Sequence, residues 1–201
     1  MPQETDTDVI DRLLGIEPGS ALDAVRRRRP VAREQAQASY RALFAPEDFA
    51  GITATERFAV AVFVTGLHGE AKTAAFYAAR LAAGRASAEL RGAIDTAVAA
   101  ARGQGPYGSY PAGPLSREDA AGPTYRVMPE IRGVLGRRLA AAFEHMHLLV
   151  FHPRDSAPAS LQTLLDAGWS TADIVTLSQI AAFLSFQIRV VAGLRVLAAA
   201  A

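Results

Sequence analysis

Two groups of side chains in this sequence are of the type that carries chemistry. The first is His68, Glu70, Lys72, Thr73 and Tyr77. On a helix starting near position 70, Glu70, Thr73 and Tyr77 fall on one face, and His68 at the preceding corner lies one turn from Lys72. A carboxylate, a hydroxyl and a phenol converging on a cleft would support proton transfer, so Glu70, His68 and Tyr77 are candidate catalytic residues. The competing reading is that Glu70 complements the positive end of the helix dipole while Lys72 is solvated.

The second group is EHMHLLVFHPRD, residues 144–155, which holds three of the four histidines. Glu144 and His147 form Glu-x-x-His, the spacing that puts two ligands on one helical face in di-iron bundles. These two residues are the metal candidates, and His147 joins the catalytic candidates. A complete site of that kind needs a second Glu-x-x-His and two further carboxylates, and the sequence has no other copy, so no cofactor is expected. His145 and His152 share a face two turns apart, which suits a pocket or an interface. His152 precedes Pro153 as an N-cap, with Arg154 and Asp155 pairing locally.

The composition narrows the chemistry. The 201 residues are 50% hydrophobic and 20% charged, with a net charge of +1, so no strong field draws the chain to nucleic acid or anionic lipid. The run Arg26 to Arg29 complements a helix C-terminus and faces solvent. The absence of cysteine excludes disulfides, thiolate nucleophiles and cysteine-ligated metals. An acidic N-terminus is not a targeting peptide, and no uninterrupted apolar stretch of about 18 residues suggests a membrane span. A cytoplasmic protein is expected.

The elements that must position these groups are helices throughout. Thr5 or Asp6 caps a first helix to Leu14, Ser20 opens a second to about Arg28, and Pro30 separates a third ending at Phe44. Thr53 and Glu56 form a capping box that starts a nearly all-apolar helix, which stops at a corner, Gly66-Leu67-His68-Gly69. A helix from Glu70 to Ala83 follows, with Gly84 as its left-handed stop. Ser87 then caps a helix to about Ala101. Residues 103–123 form one long irregular segment whose two tyrosines suggest packing against something, a neighbouring subunit among the options. Further helices cover Pro129 to Phe151, Pro153 to Ala167 and Ser170 to Leu197, the last with a capping box of Ser170 and Asp173. Trp169 seals the core. Gln187 and Arg189 stand among apolar residues of the last helix, Arg189 either pointing to solvent or paired with Glu144 or Asp155. No strand-like alternation occurs, and the class is all-α.

A shift of 84 residues lays His68 on His152, Leu81 on Leu165, Gly84 on Gly168 and Ser87 on Thr171. The repeated order of long helix, corner at histidine, short helix, glycine and capped helix points to an internal duplication, in which His68 and His152 could face one cavity. The expected organisation is one domain, 1–201: N-terminal helices 1–52, a first helical repeat 53–102, an irregular loop 103–124 and a second repeat 125–201.

The stretch ERFAVAVFVTGLHGEAKTAAFYAARLAAG resembles the carboxymuconolactone decarboxylase and alkylhydroperoxidase D superfamily. There an apolar helix leads through a small-residue corner into Cys-x-x-Cys-x-x-x-His and an alanine-rich helix ending in glycine. GWSTADIVTLSQIAAFLSFQIRVVAGL also looks like the final helices of its peroxidase-related branch, so the likeness spans about residues 40–200. The resemblance implies an alkylhydroperoxidase D-like helical bundle. In that family the cysteine pair reduces peroxides or disulfides while a glutamate and a histidine relay protons. Carried onto this sequence, the cysteines fall on Glu70 and Thr73, the histidine on Tyr77, the relay glutamate on Phe58, and the residue before the second cysteine on Lys72. Glutamate and threonine cannot perform two-electron sulfur chemistry, so thiol peroxidase activity is not expected.

What the resemblance leaves open is acid–base chemistry on a small organic acid or lactone, as in the family's cysteine-free decarboxylases. The alternative is a non-catalytic ligand-binding protein or a scaffold partner of an active paralogue. In this family small helical units bury spare apolar faces by assembling, which implies a homo-oligomer: a dimer, a trimer or a hexamer. A small-molecule ligand is the other partner expected.

Overall fold

The computed structural model describes residues 7–199, and within them the regular structure is helical, with a single isolated bridge between Gly108 and Ala120. The helices are α1 (Val9–Leu14), α2 (Ala21–Arg27), α3 (Pro30–Phe44), α4 (Ala54–Leu67), α5 (Ala71–Ala83), α6 (Ala88–Ala101), α7 (Pro129–Phe151), α8 (Pro158–Asp166) and α9 (Thr171–Ala199). Short 3₁₀ turns occupy Pro114–Glu118 and Pro153–Asp155.

Helix α4 is the hub, packing against α5, α6, α7 and α9. Its sequence requires this position. Every residue from Ala59 to Leu67 is buried, so no polar stripe is left to face water. The capping box at its start forms: Thr53 Oγ1 accepts from the Glu56 amide at 3.2 Å, and Glu56 accepts from the Thr53 amide at 2.9 Å. The ring of Phe63 stacks on that of Phe143 in α7 at 4.3 Å. Arg138 of α7 ties this end together. It donates to Glu56, to the Gly168 carbonyl and to the Gly51 carbonyl, and it lies over the buried Trp169 ring.

Helix α9 is long and apolar enough, by length and composition alone, to cross a membrane. Its apolarity has a use inside the fold, since α9 packs on α1, α2, α3, α4, α7 and α8. The second capping box also forms, with Ser170 and Asp173 exchanging amide bonds at 2.9 and 3.2 Å.

The structure departs from the local expectations in several places. Thr5 and Asp6 lie outside the described residues. Asp8 caps α1 instead, accepting from the amides of Ile10 and Asp11. Arg85 rather than Gly84 takes the left-handed conformation after α5 (φ 62°), because its amide and that of Ala86 turn back to Ala82 and Leu81. Helix α7 is broken at Gly136 (φ 70°), and the expected helix from Pro153 starts only at Pro158. The arginine run does not face solvent as a whole. Arg26 is buried against Asp8 and Asp11, and Arg27 and Arg33 close on Asp23. Three carboxylates and three guanidiniums in one network outweigh the dipole argument at that helix end.

The irregular segment packs on its own chain. Tyr107 sits against Phe151 and His152 with ring centres 6.5 and 5.2 Å apart, and the guanidinium of Arg154 lies 4.4 Å from the Tyr110 ring.

Candidate functional site

The corner after α4 and the start of α5 separate the first group of candidates. Glu70 is the N-cap of α5. Its carboxylate accepts from the Thr73 amide at 2.8 Å and the Thr73 hydroxyl at 2.5 Å, and its other oxygen is bound by Arg195 of α9. Burial pushes the Glu70 carboxyl up, but the bonds from Thr73 and Arg195 outweigh it and hold the group below the usual carboxylate range. A carboxylate so committed is a poor proton acceptor.

Tyr77 is fully buried, one turn further on, and donates to Gln187 at 2.9 Å. Burial raises its phenol well above the ordinary value, which removes it from acid–base work near neutrality. Thr73 is also fully buried. The expected cleft of carboxylate, hydroxyl and phenol is therefore not formed: the shared helical face points into the core.

His68 has a different setting. As the C-cap of α4 it turns toward α9, and its Nε2 meets Ser185 Oγ at 3.0 Å. The pair lies in a cavity of about 640 Å³, walled by Leu149, Val150 and Phe151 of α7, by Ala181 and Ala182 of α9, and by Arg189. Burial, with help from the Arg189 charge, pushes the His68 imidazole below its ordinary value, which favours its neutral form. Arg189 is exposed, donates to the Ser185 carbonyl at 2.9 Å, and has no carboxylate partner among the described residues. It reaches neither Glu144 nor Asp155, and no carboxylate lines the cavity, so Arg189 is its one fixed charge.

Three histidines of the second group gather as the spacing suggested. His145, His147 and His152 line a smaller cavity of about 230 Å³ with Tyr125, Glu144 and Asp155. His68 and His152 therefore open onto different cavities, not one. His152 is an N-cap by position only. Its Nδ1 meets Asp155 and its Nε2 meets the Pro123 carbonyl, each at 2.9 Å, so Asp155 pairs with His152 rather than with Arg154.

Glu144 binds Arg126 at 2.7 Å, Arg132 at 2.6 Å and the Val127 amide at 3.0 Å. It is thus committed to two arginines, and no group of three or more histidines and carboxylates among the described residues is placed to hold a metal ion. His147 is buried, and burial with the neighbouring His152 lowers it to about 4.

The sequence pointed to His68 but not to Ser185 or Arg189 as its companions. A serine within a helix carries no motif, and only the crossing of α4 and α9 brings position 185 to position 68. Comparison with models of known families, with curated proteins and with solved structures gives no significant match.

Proposed function

We propose that this chain is an alkylhydroperoxidase D-like protein without redox cysteines that binds a small organic acid or lactone at His68 and transfers a proton on it. The observation that carries the reading is the His68 imidazole, held by Ser185 at 3.0 Å, in the same cavity as an arginine with no carboxylate partner among the described residues. Arg189 would anchor a carboxylate or a lactone carbonyl, and the His68–Ser185 pair would accept the proton from the adjacent carbon. Glu70 is assigned to structure in this reading, and thiol peroxidase chemistry is left out because the chain has no cysteine. Further support comes from the order of elements, in which α4, α5 and α6 match the helix–corner–helix layout of the resemblance and α7, α8 and α9 repeat it, consistent with a duplicated unit. Exposed apolar side chains on α9, Phe186, Val196 and Leu197, favour a homo-oligomer.

A non-catalytic ligand binder is the second reading, favoured by the commitment of Glu70 to Arg195. Incubating the protein with a panel of short-chain acids and γ-lactones in D₂O, followed by proton NMR, separates the two. Exchange of the α-proton by wild type, lost in His68→Gln and weakened in binding by Arg189→Gln, supports proton transfer. Saturable binding without exchange supports the binder. No binding of any acid or lactone overturns both.

A further inference from the structure

The cavity at His68 is large for a short acid. Its volume of about 640 Å³ falls among clefts that enclose a drug-sized molecule. One wall is the ridge of α9 that carries Ser178, Ala182, Ser185 and Arg189, spaced four, three and four residues apart. From Ser178 to Arg189 is eleven residues of helix, so the ridge is about 16 Å long. Leu149, Val150 and Phe151 at the end of α7 supply apolar surface to the same cavity. These groups can be touched by a bound molecule: Arg189 and Ala182 are exposed, and Leu149, Val150 and Ser185 are half-buried.

Charge is supplied at one place only. Arg189 is the one fixed charge of the cavity, and its one hydrogen bond among the described residues goes to the Ser185 carbonyl at 2.9 Å. A guanidinium carries five donors, so most of its fork is open to a carboxylate. A ligand with two carboxylates would bring the second against Ala182, Leu149 and Val150, where no cation receives it. A cationic ligand would face Arg189 with no carboxylate to offset it.

We infer, resting on the reading of this cavity as the ligand site, that its ligand is a monocarboxylate with an elongated apolar body, rather than a short or doubly charged acid. The carboxylate takes the Arg189 guanidinium, and the apolar body lies along the α9 ridge against Ala182, Leu149 and Val150.

Calorimetric titration of the full chain with butyrate, hexanoate, octanoate, octanedioate and 1-octanol tests this. Each methylene added from butyrate to octanoate is expected to tighten binding about two- to fourfold, as the burial of a CH₂ group dictates. Octanoate should bind at least about tenfold more tightly than octanedioate, and Arg189→Gln should bring octanoate down to the level of 1-octanol. Ala182→Arg, at an exposed helical position, adds a second cation to the ridge and should tighten octanedioate about tenfold. The proposal falls if octanoate does not bind, if affinity is flat along the series, or if octanedioate binds wild type as tightly as octanoate does. It also falls if Arg189→Gln leaves octanoate unchanged or if Ala182→Arg leaves octanedioate unchanged. Proton transfer fails separately. Octanoate bound with these preferences, but no α-proton exchange on any acid or lactone in D₂O, defeats proton transfer and keeps this ligand class. Exchange on short acids or lactones without a chain-length preference does the reverse.

Discussion

Arg195, near the end of α9, closes on Glu70, the N-cap of α5, across 125 residues of sequence. One carboxylate thereby caps a helix, holds a threonine hydroxyl and anchors the C-terminal helix. Its position is the one where the family resemblance implies a redox cysteine. Glu70 is no free reactive group there; its bonds make the corner a structural joint.

Glu70→Ala should therefore read out in stability. Losing the cap and the ion pair is expected to cost about 1–3 kcal/mol, a fall of roughly 3–10 °C in melting temperature for a chain of this size. The wild-type contribution is present above pH 4.5, the ordinary value of the group, and is lost as pH falls through its lowered folded value. Melting curves across that range should converge for wild type and variant at the acid end.

Arg57 is a buried cation whose hydrogen bonds all go to backbone carbonyls: Leu43 at 2.8 Å, Phe49 at 3.1 Å and Ile52 at 3.1 Å. It ends α3 and shapes the loop into α4. Arg57→Met leaves three acceptors unpaired and is expected to cost about 3–5 kcal/mol. Arg57→Lys should recover only part, because an ammonium cannot reproduce the planar fork. Urea denaturation of the three proteins measures the order.

His147 is held neutral by burial, with a value of about 4 against an ordinary 6.5. Above pH 6.5 it is neutral both folded and unfolded and contributes no pH dependence. Between 6.5 and 4 the unfolded chain takes up the proton first, so stability falls as pH falls, by on the order of 3 kcal/mol. His147→Leu should flatten that part of the stability profile. An unchanged slope would assign it to other groups.

Gly122 has no room for a side chain. A Cβ there would lie 2.1 Å from Cγ of Tyr107, whose ring packs on His152. Gly122→Ala should displace Tyr107, destabilise the protein by about 1–3 kcal/mol and shift the His152 ring resonances in NMR spectra. Tyr107→Ala combined with Gly122→Ala should cost less than the sum of the two single substitutions.

The helices, both capping boxes and the all-α class were legible in the sequence because each depends on residues within a turn or two of one another. Thr53 with Glu56, and Ser170 with Asp173, satisfy amides three positions away. The clustering of His145, His147 and His152 was legible for the same reason. The sequence could not say which way a helical face points. Glu70, Thr73 and Tyr77 do share a face, yet that face turns into the core, because α5 packs most heavily on the nearly all-apolar α4. Arg195 reaches Glu70, Ser185 reaches His68, and Arg26 finds Asp8 and Asp11 only once the helices cross. Local pattern determined the elements and the residues that could react. Long-range packing decided which of those residues were consumed in holding the fold and which were left facing a cavity, since pairing and burial depend on groups far apart in the chain.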